Sequence, residues 1–209
     1  MTMATPPLPS VPVQSNAEPA WEIATLFPPQ GQWRENDYLN LTDRTNRLVE
    51  LVDGRIEVLP MPTLAHQLIL QYFLRLLDDL KAGLAVVSGL RVRMRALNFR
   101  QPDITFLLTE HLADAANEFW ERADLAVEIV SPDDPDRDYL AKRREYAAAG
   151  IAEYWIVDPK KQSVSVLELR DGAYIEHGPF VAGQMAPSIL LPQLMIAVTG
   201  LFEAGVVKR

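Results

Sequence analysis

The sequence predicts an α/β (α+β) fold, with a mixed central sheet flanked by helices and a β hairpin at either end of the folded part. Three observations carry this prediction. Short apolar runs alternate at period two between turn residues, as strands do. Two other stretches repeat at the helical period. The order is hairpin, helix, three strands, helix, strand and hairpin, which makes a mixed sheet with helices against it.

Residues 1–20 are rich in Pro, Ala and Ser and lack any period. They predict a disordered tail, leaving residues 21–209 as one domain. The first hairpin is RLVELVDGRIEVLP, residues 47–60. Leu48, Glu50 and Val52 alternate with Val49 and Leu51, Asp53-Gly54 suits a tight primed turn, and Pro60 and Pro62 end the return strand. A helix follows over 63–82, capped by Thr63, with Leu64, Leu68, Tyr72, Leu76 and Leu80 on one stripe and Gly83 as its stop. Three strands are expected next, over 86–95, 103–108 and 124–130, with a weakly patterned helix or loop over 109–122. The first carries Arg91, Arg93 and Arg95 on one face. After the loop Ser131-Pro132-Asp133-Asp134-Pro135, a helix spans 136–149 and closes at Gly150. A buried strand over 153–159 and a hairpin over 163–177, turning at Asp171-Gly172, complete the assignable elements.

The bulk properties narrow the function. The 209 residues suffice for one core, and the absence of cysteine excludes disulfides and thiolate zinc sites. No stretch reaches the roughly 18 apolar residues of a membrane helix, and the start does not read as a signal peptide. A cytoplasmic protein without a membrane partner is expected. The net charge of -8 opposes nucleic-acid binding, which ordinarily leaves a basic footprint.

The chemistry concentrates on two strands and a helix. If 103–108 and 124–130 pair antiparallel, Asp103 at the start of one lies beside Glu128 near the end of the other. Glu128 shares a face with Ala126 and Val130, and a carboxylate in so apolar a strand needs a partner or a metal. Two carboxylates suit magnesium or manganese, with the backbone carbonyl of Ile129 as a further ligand. Asp138, Lys142 and Tyr146 follow at i, i+4, i+8 on one helix face, which aims Lys142 at that edge. Each residue also has a plainer reading. Asp103 can simply open a strand, Glu128 can pair with an arginine, Lys142 can be a solvated lysine, and Asp138 can favour the first helical turn. Glu50 is either a third acid or an exposed strand residue. His66 is either structural or a proton donor or phosphate contact. The arginines at 91, 93 and 95, with Arg100, are either a phosphate-facing patch or a solvated face. Tyr154 and Trp155 read as core aromatics.

Gln101-Pro102-Asp103, Val127-Glu128-Ile129-Val130-Ser131-Pro132, Asp138…Lys142…Tyr146…Gly150 and Glu153-Tyr154-Trp155-Ile156-Val157-Asp158-Pro159, with the hairpin and the helix bearing His66, together resemble the Uma-two family of restriction-endonuclease-like proteins. That family is placed in the PD-(D/E)xK nuclease superfamily. The resemblance covers roughly residues 46–160. It implies a restriction-endonuclease-like core, a magnesium-type site and hydrolysis of DNA phosphodiesters, with Asp103 and Glu128 as metal ligands. By analogy with the superfamily, a homodimer is expected. Where the superfamily pattern has lysine two residues after the second acid, this chain has Val130, and Lys142 of the next helix takes that place. A catalytically silent member serving binding or assembly is the alternative.

Overall fold

Alternation of apolar and polar side chains sets the first layer. The computed structural model describes residues 26–206, so the expected tail over 1–20 lies outside the described residues. Strands β1 (Val49–Val52) and β2 (Arg55–Val58) pair antiparallel, with Val52 opposite Arg55. The turn between them puts Asp53 and Gly54 at φ 50° and 72°, the left-handed pair that a primed turn requires. Val49 and Leu51 pack with Trp33, Phe99 and Tyr38 of the preceding helix α1 (Glu35–Thr42), so Glu50 projects from the opposite face. Here that face is also covered, and Glu50 is fully buried.

Helix α2 (Leu64–Leu80) begins as expected, with the Thr63 hydroxyl accepting the His66 backbone N–H at 3.2 Å. Its end differs from expectation. Lys81 takes the left-handed cap position at φ 52°, and Gly83 instead opens strand β3 (Gly83–Val87). The glycine is needed there because an added Cβ would run into the Leu107 carbonyl oxygen of the neighbouring strand. Gly83→Ala is therefore expected to cost about 1–3 kcal/mol of stability by overpacking. An unchanged thermal midpoint would contradict that close approach.

The single strand expected over 86–95 is two strands. Ser88 and Gly89, at φ 27° and 93°, break it, so that β3 and β4 (Val92–Arg95) enter different sheets. Strand β5 (Asn98–Arg100) joins β4 and β1, giving a four-stranded sheet ordered β2-β1-β5-β4. The remaining long strands are β6 (Ile104–Leu108), β7 (Leu125–Ile129), β8 (Glu153–Asp158), β9 (Ser163–Arg170) and β10 (Ala173–Val181). With β3 they form a six-stranded sheet ordered β10-β9-β8-β7-β6-β3. The weakly patterned 109–122 holds one 3-10 turn, Thr109–Asp114.

All neighbours in the large sheet are antiparallel except β7 and β8. That parallel pair needs a crossover, and the crossover is the segment that carries Lys142. It starts as a π-helical turn, Arg137–Lys142, and continues as helix α3 (Arg143–Ala148), which Gly150 closes at φ 79°. The C-terminal residues, unassigned from sequence, form β11 (Met185–Pro187), β12 (Met195–Ala197) and helix α4 (Val198–Ala204).

Three layers result. Ile69, Phe73 and Leu77 of α2, with Leu201 of α4, pack on the face bearing Phe106, Val127 and Trp155. Ala126, Tyr154 and Ile156 on the other face meet Tyr146 of α3 and Val92 and Met94 of β4. The four-stranded sheet therefore closes over the same face as α3, and Glu128 lies between them.

Candidate active site

Register fixes the first two residues. Ile104 pairs with Val127 and Thr105 with Ala126 across antiparallel β6 and β7, which brings Asp103 opposite Glu128. The Ile129 backbone N–H donates to Asp103 Oδ2 at 2.8 Å, holding the aspartate across the strand end. His66, one turn into α2, places Nε2 3.2 Å from the same oxygen.

The crossover supplies the cation. Lys142 Nζ lies 2.8 Å from Glu128 Oε2, 3.3 Å from Asp138 Oδ1 and 3.9 Å from Glu50 Oε1. Its partners are these three acids, while Asp103 is held by His66 and the Ile129 N–H. The Tyr146 hydroxyl donates to the other oxygen of Glu128. The helical face expected from the i, i+4, i+8 spacing is thus intact across the π turn. Asp138 is more than a first-turn acid, being 1% exposed and paired to the lysine. The arginine pairing considered for Glu128 does not occur; the ammonium of Lys142 takes that place.

A second cation ties the hairpin in. Arg100, 2% exposed, donates to Glu50 Oε2 at 2.7 Å and to both carboxylate oxygens of Glu145 at 2.7 and 3.0 Å. The Gln101 backbone N–H donates to the other oxygen of Glu50 at 2.9 Å. Glu50 is therefore a buried member of the cluster, and the exposed reading is set aside.

These contacts govern protonation. Burial pushes the Glu128 carboxyl up to about 8, opposed by Lys142 and reinforced by Asp103, Asp138 and Glu50. Burial raises Asp138 as well, against the pull of Lys142 and Arg137. Burial also works to raise Glu50, but Lys142, Arg100 and the Gln101 N–H more than reverse it and leave this acid below its usual range. Burial alone would discharge Lys142. Glu128, Glu50 and Asp138 overcome it and hold the ammonium above its ordinary range.

Asp103, Glu128 and Lys142 of this cluster reach the floor of a cleft of about 750 Å³. His66, Asp103, Glu128, Ile129 and Lys142 line it together with Arg137, Lys160 and Lys161. Arg91, Arg93 and Arg95 do not. They share one face as expected, but Arg91 pairs with Asp43, Arg93 with Glu35 and Glu121, and Arg95 with Asp53. The expected phosphate patch is thus a neutralised structural face, bound to α1, to the hairpin turn and to the loop before β7. The basic residue missed from sequence is Arg137. It occupies the first turn of the crossover and reads as one more solvated helix cation.

Among the described residues no three His, Asp or Glu side chains form a ready-made metal cage. Magnesium does not require one, since one or two carboxylates with water and substrate phosphate complete its octahedron. The donor set of Asp103 and Glu128 is all oxygen, and both residues line the cleft. It fits a hard divalent cation. Among the described residues no helix is long and apolar enough to cross a membrane.

Comparison with known proteins agrees with the fold. A family profile described as "Uma2: Putative restriction endonuclease" matches residues 35–199. A crystal structure of a "putative nuclease belonging to DUF820" from Anabaena variabilis ATCC 29413 superposes with TM-score 0.71. The two sequences are 20% identical, and the match covers 83% of this chain and 99% of that one. No match is found among curated proteins.

Proposed function

The chain belongs to the Uma2 family of restriction-endonuclease-like proteins, and from that premise we propose that it is a magnesium- or manganese-dependent nuclease that hydrolyses DNA phosphodiesters. The observation that carries the reading is the convergence of Asp103, Glu128 and Lys142 from two strands and a crossover helix onto the floor of one cleft. Asp103, Glu128 and the Ile129 carbonyl would hold the ion. Such an ion supplies Lewis acidity at the phosphoryl oxygens and acidifies a water for in-line attack.

The protein's own groups do the rest. Lys142 stays protonated, so its part is electrostatic. It orients the attacking water and opposes the negative charge that grows on phosphorus-bound oxygen, and, being already protonated, it cannot act as the general base. Tyr146 and Lys142 fix the two oxygens of Glu128, and the Ile129 N–H with His66 fixes Asp103. The site is therefore held rigid before substrate arrives, as electrostatic catalysis requires. Arg137 stands on the cleft wall, its buried Nε–H without a hydrogen bond and 4.0 Å from Asp138 Oδ1, and serves as the phosphate clamp.

One observation favours the silent alternative. Both oxygens of Glu128 already accept from Tyr146 and Lys142. Calorimetric titration with manganese, alongside plasmid cleavage, separates the two readings. Native protein is expected to give a saturable heat and to nick plasmid, and Asp103→Ala to do neither. If the native and Asp103→Ala proteins titrate alike, with no cleavage by either, the silent reading stands.

A further inference from the structure

The cleft is shaped for something smaller than a duplex. Its volume of about 750 Å³ is that of a small-ligand pocket. Much of its wall is apolar, built from Pro60, Met61, Pro62, Ile69, Pro132 and Pro159. Four cations line it, but Lys142 is held among buried acids on the floor, Lys161 pairs with Asp158 at 3.4 Å and Arg137 meets Asp138 only through Nε, at 4.0 Å. Arg137 and Lys160 remain for phosphate, well short of the roughly 6–10 backbone contacts of a typical duplex-binding surface. The net charge of -8 points the same way.

Three polar atoms of the lining residues lack a hydrogen-bond partner, His66 Nδ1, Arg137 Nε and Gln101 Oε1, and the last is a neutral amide oxygen. Gln101 is 7% exposed and lies two residues before Asp103. Its backbone is occupied with Glu50, yet its side-chain Oε1 has no hydrogen bond. A buried amide oxygen without a donor is uncommon, because its desolvation goes unrepaid. Gln101 lines both this cleft and a second, smaller pocket, and a turn of its side chain away from Tyr38 would bring the amide to a ligand. A side-chain amide matches the donor and acceptor pattern of a base edge, and an apolar wall matches the flat face of a base lifted from its stack.

Building on the nuclease reading, we infer that the cleft admits a single unstacked nucleotide. Its base lies along the proline and methionine wall, its edge is read by the Gln101 amide, and its phosphate lies between Arg137 and the Asp103–Glu128 pair. Single strands present such a nucleotide directly. A perfect duplex must first extrude one, so it binds more weakly.

The test uses the native chain and a short oligonucleotide carrying 2-aminopurine, either as a single strand or annealed to its complement. Calcium, a poorer activator of water, replaces magnesium during binding. The single strand is expected to bind at least about tenfold tighter than the duplex, with 2-aminopurine emission rising on binding as the base leaves its stack. Equal or tighter binding of the duplex without that rise overturns this inference and leaves the nuclease reading intact. Failure to bind either form, joined with no manganese heat, overturns both. Base preference is measured separately on four homopolymers. Gln101→Met keeps the volume of the side chain and is expected to flatten that preference by about tenfold. A preference that survives in Gln101→Met, or a native protein with none, overturns the role of Gln101.

Discussion

Lys142→Met is expected to lower unfolding free energy by about 3–5 kcal/mol and to reduce phosphodiester cleavage by about two to three orders of magnitude. Methionine retains the apolar stem that passes through the core and removes only the charge. Glu128, Glu50 and Asp138 would then share a buried space without the ammonium that lies within 3.9 Å of each. Removing one partner of a buried ion cluster leaves the rest uncompensated, which costs more than the cluster itself contributes. A second substitution separates charge balance from packing. Adding Glu128→Gln to Lys142→Met removes one of the stranded acids, so part of the lost stability should return while cleavage stays lost. Urea denaturation of the single and double variants measures this. If the double variant is no more stable than Lys142→Met, charge imbalance is not the cause. A Lys142→Met protein that cleaves at the native rate would reduce the lysine to a structural counter-ion.

Glu153→Ala is expected to destabilise the fold by about 3–5 kcal/mol without touching the cleft. Glu153 opens β8, is fully buried, and stands among four donors. Its Oε1 accepts from the Trp155 indole N–H and the Ser188 hydroxyl, both at 2.6 Å. Its Oε2 accepts from the backbone N–H groups of Ile189 and Leu190 at 2.6 and 2.8 Å. The carboxylate thus fastens the loop before β12 to the central sheet. Alanine would leave an indole and two backbone N–H groups buried without acceptors. Glu153→Gln keeps one carbonyl oxygen and should fall between alanine and native. Hydrogen exchange should speed first at residues 188–191. If exchange there matches native while global stability falls, the fastening is not local.

Several of these groups could be read from the sequence because the rules they obey are local. Short linkage makes β6 and β7 antiparallel, and strand parity then puts Asp103 beside Glu128. The spacing of Asp138, Lys142 and Tyr146 survives a π turn because all three still cross the same buried face. What escaped depends on distant chain. The alternation in β1 shows that Glu50 faces away from Leu51, but not that a second sheet covers that side. Arg91, Arg93 and Arg95 do share a face, yet their acids come from α1, a hairpin turn and an unpatterned loop. The break at Ser88-Gly89 was hidden because apolar alternation resumes directly after it. Pro60 and Pro62 read as strand terminators, and only the folded chain shows them as the wall of a cleft.

The Arg100 cluster has a further consequence, for the order in which the molecule becomes competent. Arg100 lies 50 residues from Glu50 and 45 from Glu145 in the chain. Contacts that close such long loops form late, because the loop entropy is met before the contact returns anything. A chain synthesised only as far as β6 contains Glu50, Arg100 and Asp103, while Glu128, Lys142 and Glu145 have yet to emerge. The β7–β8 crossover supplies Lys142, Asp138 and Glu145, so the buried cluster needs it. The site therefore cannot be complete before the β7–β8 crossover is in place.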